Sequence, residues 1–221
     1  MKFEREASYY LEIIKENNAP KIYSYLSSRL ASSSPLLLLT SALFDLEEIV
    51  FIDIETLGLR GVVPLFLIGV AAIKNGNIIV NQILARDLNE EKAALHFLSE
   101  YLKDKKAICS FNGKSFDIPF INTRLKTHNI KYEVSHPHYD IRYFAARAFK
   151  NSIENCKLTT LESKLFQTQR EEDIPSSEVP EFYKSFVRNN NIGTIVPVIN
   201  HNKQDLISTV NIFIKLHEIW S

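Results

Sequence analysis

Asp53 and Glu55 stand two residues apart near the end of the run Ile49-Val50-Phe51-Ile52-Asp53-Ile54-Glu55-Thr56-Leu57-Gly58. The run is β-branched and aromatic, as a buried strand requires. Strand side chains alternate, so Val50, Ile52 and Ile54 take one face, and Phe51, Asp53 and Glu55 take the other. Two carboxylates on one face, roughly 7 Å apart by the strand rise, repel each other when partly desolvated. They need a cation between them, or one must keep its proton. The plainer alternative puts both acids at a solvated strand end, paired with Lys or Arg.

Three more residues extend the set. Asp117 follows Asn112-Gly113-Lys114-Ser115-Phe116, where Ser115 is suited to cap a helix running through Ile118, Ile121 and Leu125. Asp205 lies early in a C-terminal helical pattern, with His201 four residues before it. If both are helical they face the same way, one turn apart. Singly, each acid has an ordinary explanation. Acids are favoured in the first turn of a helix, and Asp140 most simply caps the stretch Ile141 to Lys150. Together, Asp53, Glu55, Asp117 and Asp205 offer hard oxygen ligands suited to Mg²⁺ or Mn²⁺. Two such ions roughly 4 Å apart activate a water and stabilise the leaving oxygen of a phosphodiester. His201 would take the proton, since imidazole titrates near neutrality. This chemistry requires the four carboxyls to converge on one pocket and not to be tied up by arginine or lysine. A zinc pattern at His136, His138 and Asp140 is weaker, because Pro137 favours a loop and no further ligand spacing supports it.

The elements that must position these residues are legible in part. Residues 2–31 have the spacing of two helices, with Tyr10, Leu11 and Ile14 in the first and Ile22, Tyr25, Leu26 and Leu30 in the second. Pro20 suits a first-turn position. From Glu48 the pattern turns strand-like. Val62–Ile73 reads as a second strand, and Asn75-Gly76 as its hairpin turn into a third at Asn77–Ala85. A helix over Asn89–Lys103, capped by Asn89, precedes a short buried strand at Ala107–Phe111. Helices follow at Leu158–Phe166, Glu181–Arg188 and Lys203–Trp220. Three antiparallel strands, then helix, strand and helix, make an α/β order with a mixed sheet. We expect an N-terminal helical extension over residues 1–44, acting as a brace, and one main domain over residues 45–221.

The order of motifs resembles a known family. Phe-Ile-Asp-Ile-Glu-Thr-Leu-Gly-Leu (51–59) resembles the first motif of the DEDD, or DnaQ-like, 3′–5′ exonucleases. Ser-Phe-Asn-Gly-Lys-Ser-Phe-Asp-Ile-Pro-Phe (110–120) resembles their second, and His-Asn-Lys-Gln-Asp-Leu-Ile-Ser (201–208) their third. From about Phe44 to Leu216 the chain is most similar to the YprB-type ribonuclease H-like family, including the phrases Arg170-Glu-Glu-Asp-Ile-Pro and Val179-Pro-Glu-Phe-Tyr183. The resemblance implies a ribonuclease H-like fold, with a mixed five-stranded sheet flanked by helices. It implies Asp53, Glu55 and Asp205 as ligands of the catalytic metal, Asp53 and Asp117 at the second ion, and His201 as general base. Thr56, Leu57, Asn112, Lys114 and Phe116 would line the substrate slot. His201 stands four residues before the last Asp, where His-type relatives have five and Tyr-type relatives four. Ser176-Ser177 stands where relatives often have Gly.

Composition neither demands nor excludes this chemistry. Of 221 residues, 45% are hydrophobic, enough for a real core, and 26 basic residues balance 26 acidic ones. Between Tyr101 and Arg170 the bases outnumber the acids, and the basic stretch between residues 103 and 164 would supply phosphate contacts. Phe116, Tyr139 or Tyr143 could stack on a base. Cys109 and Cys156 lack metal spacing and read as free thiols of a cytoplasmic protein. The longest apolar run, Pro35 to Phe44, is too short to cross a bilayer. The expected partner is the single-stranded 3′ end of DNA or RNA. A catalytically silent nucleic-acid-binding module and an endonuclease on the same fold are the competing readings.

Overall fold

Strand β1 (Ile49–Thr56) is the centre of the molecule. The computed structural model describes residues 19–170 and 173–220. Strand β2 (Leu65–Lys74) pairs antiparallel with β1, and β3 (Asn77–Leu84) antiparallel with β2. On the other side β4 (Ala107–Ser110) runs parallel to β1, and β5 (His138–Asp140) parallel to β4. The order is β3-β2-β1-β4-β5. Both residues of the β2–β3 turn have positive φ, 50° at Asn75 and 73° at Gly76. That is what a two-residue hairpin loop matching strand twist requires.

Helices cover both faces. On one lie α3 (Glu91–Leu102) and α4 (Asp117–Thr127), where Leu95, Leu98, Ile121 and Leu125 pack on Val50, Ile52 and Ile54. On the other lies α8 (Val196–Trp220), whose Leu206, Val210 and Phe213 join the core of Phe51. The Phe51 and Phe213 rings meet edge to face, centroids 5.3 Å apart. The alternation expected for β1 is therefore present, and it puts Asp53 on the face covered by α8. Helices α5 (Ile141–Ala148), α6 (Leu158–Phe166) and α7 (Val179–Asn189) complete the α/β layers of a ribonuclease H-like fold.

The N-terminal part adds α1 (Ala19–Ser27) and α2 (Pro35–Leu39), which share the α8-side core. Tyr23 Oη donates to the His138 carbonyl at 2.6 Å, and Thr40 Oγ1 lies 2.7 Å from Tyr139 Oη. Tyr139 is thus fully buried and spoken for, so it is no platform for a base. The first expected helix, with Tyr10, Leu11 and Ile14, lies outside the described residues.

Several boundaries differ from expectation. Helix α3 begins at Glu91, and no Asn89 side chain caps it. Glu91 instead turns inward, accepts from Leu65 N at 2.9 Å, and holds Arg124 through two bonds of 2.7 and 2.6 Å. Arg124 also donates to the carbonyls of Gly61 and Val62. A buried fork of this kind is costly to break from one side, about 3–5 kcal/mol. It ties Gly61, Val62 and Leu65, which follow Gly58 and Leu59 in the chain, to the helical layer. Ser115 does not cap α4 either; its hydroxyl turns back to Asn112.

Candidate active site

Strand β4 pairs with β1 only as far as Phe51, so the rest of β1 overhangs. The Ile54 N–H left bare on that side is met by Asp117 Oδ1 at 3.2 Å, from the first turn of α4. This bond draws the second-motif acid to the strand that carries Asp53 and Glu55. The turn between β4 and α4 makes it possible. Asn112 has φ 68°, a left-handed conformation asparagine tolerates. At Gly113 a Cβ would sit 2.4 Å from Ser110 Oγ and 3.0 Å from Asp117 Oδ2, so glycine leaves the acid its space. Asp140 braces the turn, accepting from Asn112 N at 2.8 Å and Lys114 N at 3.0 Å while also capping α5 through Arg142 N.

Asp53, Glu55, Asp117, Asp205 and His201 line one cleft of about 530 Å³. Its walls include Thr56, Asn112 and Phe116, together with Leu59, Phe111, Ser176, Ser177 and Pro180. Of the residues expected in the substrate slot, Leu57 and Lys114 are not in this lining. Leu57 packs against the cluster of Phe66 and Tyr183, whereas Leu59 is 88% exposed at the edge of the cleft. The pairing of β1 with β2 shifts between Glu55 and Thr56, an irregularity that falls just before Leu57, whose place in the slot is implied by the family resemblance.

The acids are uncomfortable neighbours. Burial, then the charges of Asp205, Glu55 and Asp117, push the Asp53 carboxyl well above the ordinary carboxylate range. Burial, then Asp205 and Asp117, do the same to Glu55. Burial raises Asp117 to about 7, despite the N–H groups it accepts from. Asp205 departs from the expectation of unpaired acids, because Arg170 Nη2 lies 2.6 Å from its Oδ1. Arg170 does not belong to Asp205 alone. Its Nε and Nη2 grip the buried Glu162 at 2.7 and 2.5 Å, and Nη1 reaches Asp173 at 3.2 Å. One guanidinium facing three carboxylates cannot neutralise them, and burial still holds Asp205 above its usual range.

His201 and Asp205, both on α8, face each other across one turn, Nε2 3.7 Å from Asp205 Oδ2. That is too long for a hydrogen bond. The other ring nitrogen, Nδ1, lies 2.6 Å from Asp173 Oδ1. Although burial opposes it, the His201 bond and the Arg170 charge hold Asp173 below its usual range, so Asp173 is the acceptor and Nδ1 carries the proton. In the neutral ring Nε2 is then the basic nitrogen, on the side of Asp205, and His201 is part of the cleft lining.

The donor set of four carboxylates fits a hard divalent cation. Among the described residues, however, no three His, Cys, Asp or Glu side chains are already gathered as a coordination shell. Arg170 on Asp205, Asn202 on Asp53 and Ile54 N on Asp117 hold the acids by other bonds. The weaker zinc pattern is dispersed, since His138 Nε2 is 2.7 Å from Ser110 Oγ and Asp140 is occupied by backbone N–H groups.

Fold and cleft together define a ribonuclease H-like protein with an acidic site at the end of its central strand. A profile of the RNase H superfamily matches residues 50–217, and the chain belongs to that superfamily, whose members are generally nucleases. It is 29% identical over 178 residues to "Uncharacterized protein YprB" of Bacillus subtilis (strain 168), a match covering 78% of this chain and 43% of that protein. The chain thus spans less than half the length of that relative. Among solved structures it is similar in fold to the family B DNA polymerase from the hyperthermophilic archaeon Pyrobaculum calidifontis, with TM-score 0.57 and 18% identity over 76% of this chain and 24% of the polymerase. Among the described residues no helix is long and apolar enough to cross a membrane.

Proposed function

We propose that the protein is a divalent-metal-dependent 3′–5′ exonuclease acting on single-stranded ends of DNA or RNA. The observation that carries this reading is the convergence of Asp53, Glu55, Asp117 and Asp205 on one cleft, where burial pushes each acid toward protonation and the charges of neighbouring acids add to it at Asp53, Glu55 and Asp117. Two bound Mg²⁺ or Mn²⁺ ions would make these charges tolerable and would polarise the attacking water and the scissile phosphate. The protein's own groups do the rest. His201 Nε2 accepts the proton of the water, with Asp173 holding the ring. Thr56, Asn112 and Phe116 hold the terminal nucleotide, with Leu59 at the mouth. Gly58 and Leu59 on one side and Ser176, Ser177, Val179 and Pro180 on the other border the cleft, which suits a strand end better than a continuous duplex.

Matched 5′-labelled DNA and RNA oligonucleotides, free or blocked at the 3′ end, test the proposal. The expected result is a single-nucleotide ladder from the free 3′ end with Mg²⁺ or Mn²⁺, none with a chelator, and none from the blocked end. Internal cuts would make the protein an endonuclease. An unchanged oligonucleotide under both metals would make it a silent binding module.

A second expectation concerns stability. Carboxyls raised in the folded state bind more protons than in the unfolded chain, so stability must fall as pH rises. The window runs from the ordinary carboxylate range up through about 7, where Asp117 titrates. Metal reverses the effect by binding the ionised form. Saturating Mn²⁺ at about 100 times its dissociation constant contributes about 2.7 kcal/mol, or about 5–10 °C in a chain of this size. We expect that shift at pH 8 and much less at pH 5. Melting curves with chelator and with Mn²⁺ at both pH values measure it, and an equal shift at both would contradict this account.

A further inference from the structure

Asp53, Gly69 and Gln82 form one row across β1, β2 and β3, as register partners Asp53↔Gly69 and Gly69↔Gln82. Asn202 descends onto this row from α8 and is completely buried. It fits because position 69 has no side chain; a Cβ there would lie 2.2 Å from Asn202 Oδ1. From that slot Asn202 Nδ2 donates to Asp53 Oδ2 at 2.6 Å and to the Asp53 carbonyl at 3.2 Å. Its Oδ1 accepts from Gln82 Nε2 at 2.8 Å, and the same Nε2 donates to the Ile199 carbonyl at 2.8 Å.

The orientation of both amides follows from the ends of this chain. A backbone carbonyl only accepts, so Ile199 O fixes the amino group of Gln82, which fixes Oδ1 of Asn202, which turns Nδ2 to Asp53. With Oδ2 engaged, Oδ1 is the oxygen of Asp53 left to turn toward a cation.

We propose that Asn202, oriented by Gln82 and admitted by Gly69, is a positioning residue that fixes which oxygen of Asp53 is offered to a divalent ion. The proposal rests on the metal-binding reading of Asp53. It assigns to Gln82, two strands from the cleft, an effect on metal affinity. Partners of this kind around metal ligands are worth about 10- to 100-fold in affinity.

The test is Mn²⁺ binding, by calorimetry and by the spin-resonance signal of free Mn²⁺, on wild type, Asn202→Ala and Gln82→Glu, with melting temperatures beside them. Asn202→Ala should weaken Mn²⁺ by about 10- to 100-fold. Gln82→Glu, at a partly buried position, should weaken it several-fold, because an introduced carboxylate accepts where Gln82 donates, repels Asn202 Oδ1 and pulls the amide out of register with Asp53. Its added negative charge would by itself tighten cation binding, so a loss identifies the relay. Asn202→Ala within twofold of wild type, or Gln82→Glu binding equally or more tightly, overturns the inference and leaves the exonuclease reading standing. Wild type that binds no Mn²⁺ removes both.

Discussion

Asp53→Asn is expected to lower metal-dependent hydrolysis by at least about 10²-fold while raising the melting temperature of the metal-free protein. The two effects have one cause. Asp53 is largely shielded from solvent, and the charges of Asp205, Glu55 and Asp117 act on it, so its ionised form is unwelcome in the cleft. The substitution keeps the shape and leaves an oxygen able to accept from Asn202 Nδ2, which now reaches Asp53 Oδ2 at 2.6 Å. What disappears is the repulsion, together with the ligand. Strain concentrated where chemistry needs it is a common reason for stability and activity to trade against each other. Asp205→Asn should cost activity similarly without the same gain in stability, because it also removes a partner of Arg170. Single-turnover hydrolysis with Mn²⁺ and melting curves in chelator measure the pair. Asp53→Asn with activity within tenfold of wild type would refute the assignment, and a lowered metal-free melting temperature would refute the electrostatic account.

The parts of this site that a reader of the sequence can find are those written in short-range pattern. Alternation along β1 identifies the face shared by Phe51 and Asp53, and Asn75-Gly76 marks the hairpin, because backbone and neighbours alone decide both. The beginning of α8 is hidden. It starts at Val196, seven residues before the apolar periodicity suggests, since Pro197 sits in its first turn and Asn200, Asn202, Lys203 and Gln204 look like solvent-facing polar residues. Asn202 is in fact fully buried, and only the missing side chain of Gly69, 133 positions away in the chain, makes that possible.

Arg170 and Asp173 illustrate the same limit. Their phrase has a family resemblance, but neither lies on a periodic face that would announce a role. Arg170 gains its meaning from Glu162 on α6 and Asp205 on α8, two elements that meet only in the folded chain. Likewise Ser115 has the composition of a cap, yet the bare Ile54 N–H and the tight turn at Asn112 decide where α4 begins. Local preference proposes, and the unpaired end of β1 disposes.

His201→Ala is expected to lower the maximal rate by about 10²- to 10⁴-fold, the usual worth of a positioned general base, with little change in Mn²⁺ affinity. The separation follows from geometry. His201 lines the cleft with Nε2 3.7 Å from Asp205 Oδ2, while Nδ1 is committed to Asp173 at 2.6 Å. The ring is thus held by an acid that is not among the proposed metal ligands, and its other nitrogen lies on the side of Asp205, where it could take a proton from an attacking water. Spacing of one helical turn brings this about; five residues would swing the ring about 100° further around α8. Asp173→Asn should reproduce part of the loss, because the amide can present its own N–H to Nδ1 and favour the wrong tautomer. Rate and Michaelis constant with saturating Mn²⁺, measured for both variants, decide the matter. If His201→Ala loses only a few-fold, the proton leaves to bulk water and the ring serves chiefly to hold residues 173–180 against the cleft. If Mn²⁺ affinity falls in step with the rate, His201 is a ligand, and the four-residue spacing has a different use.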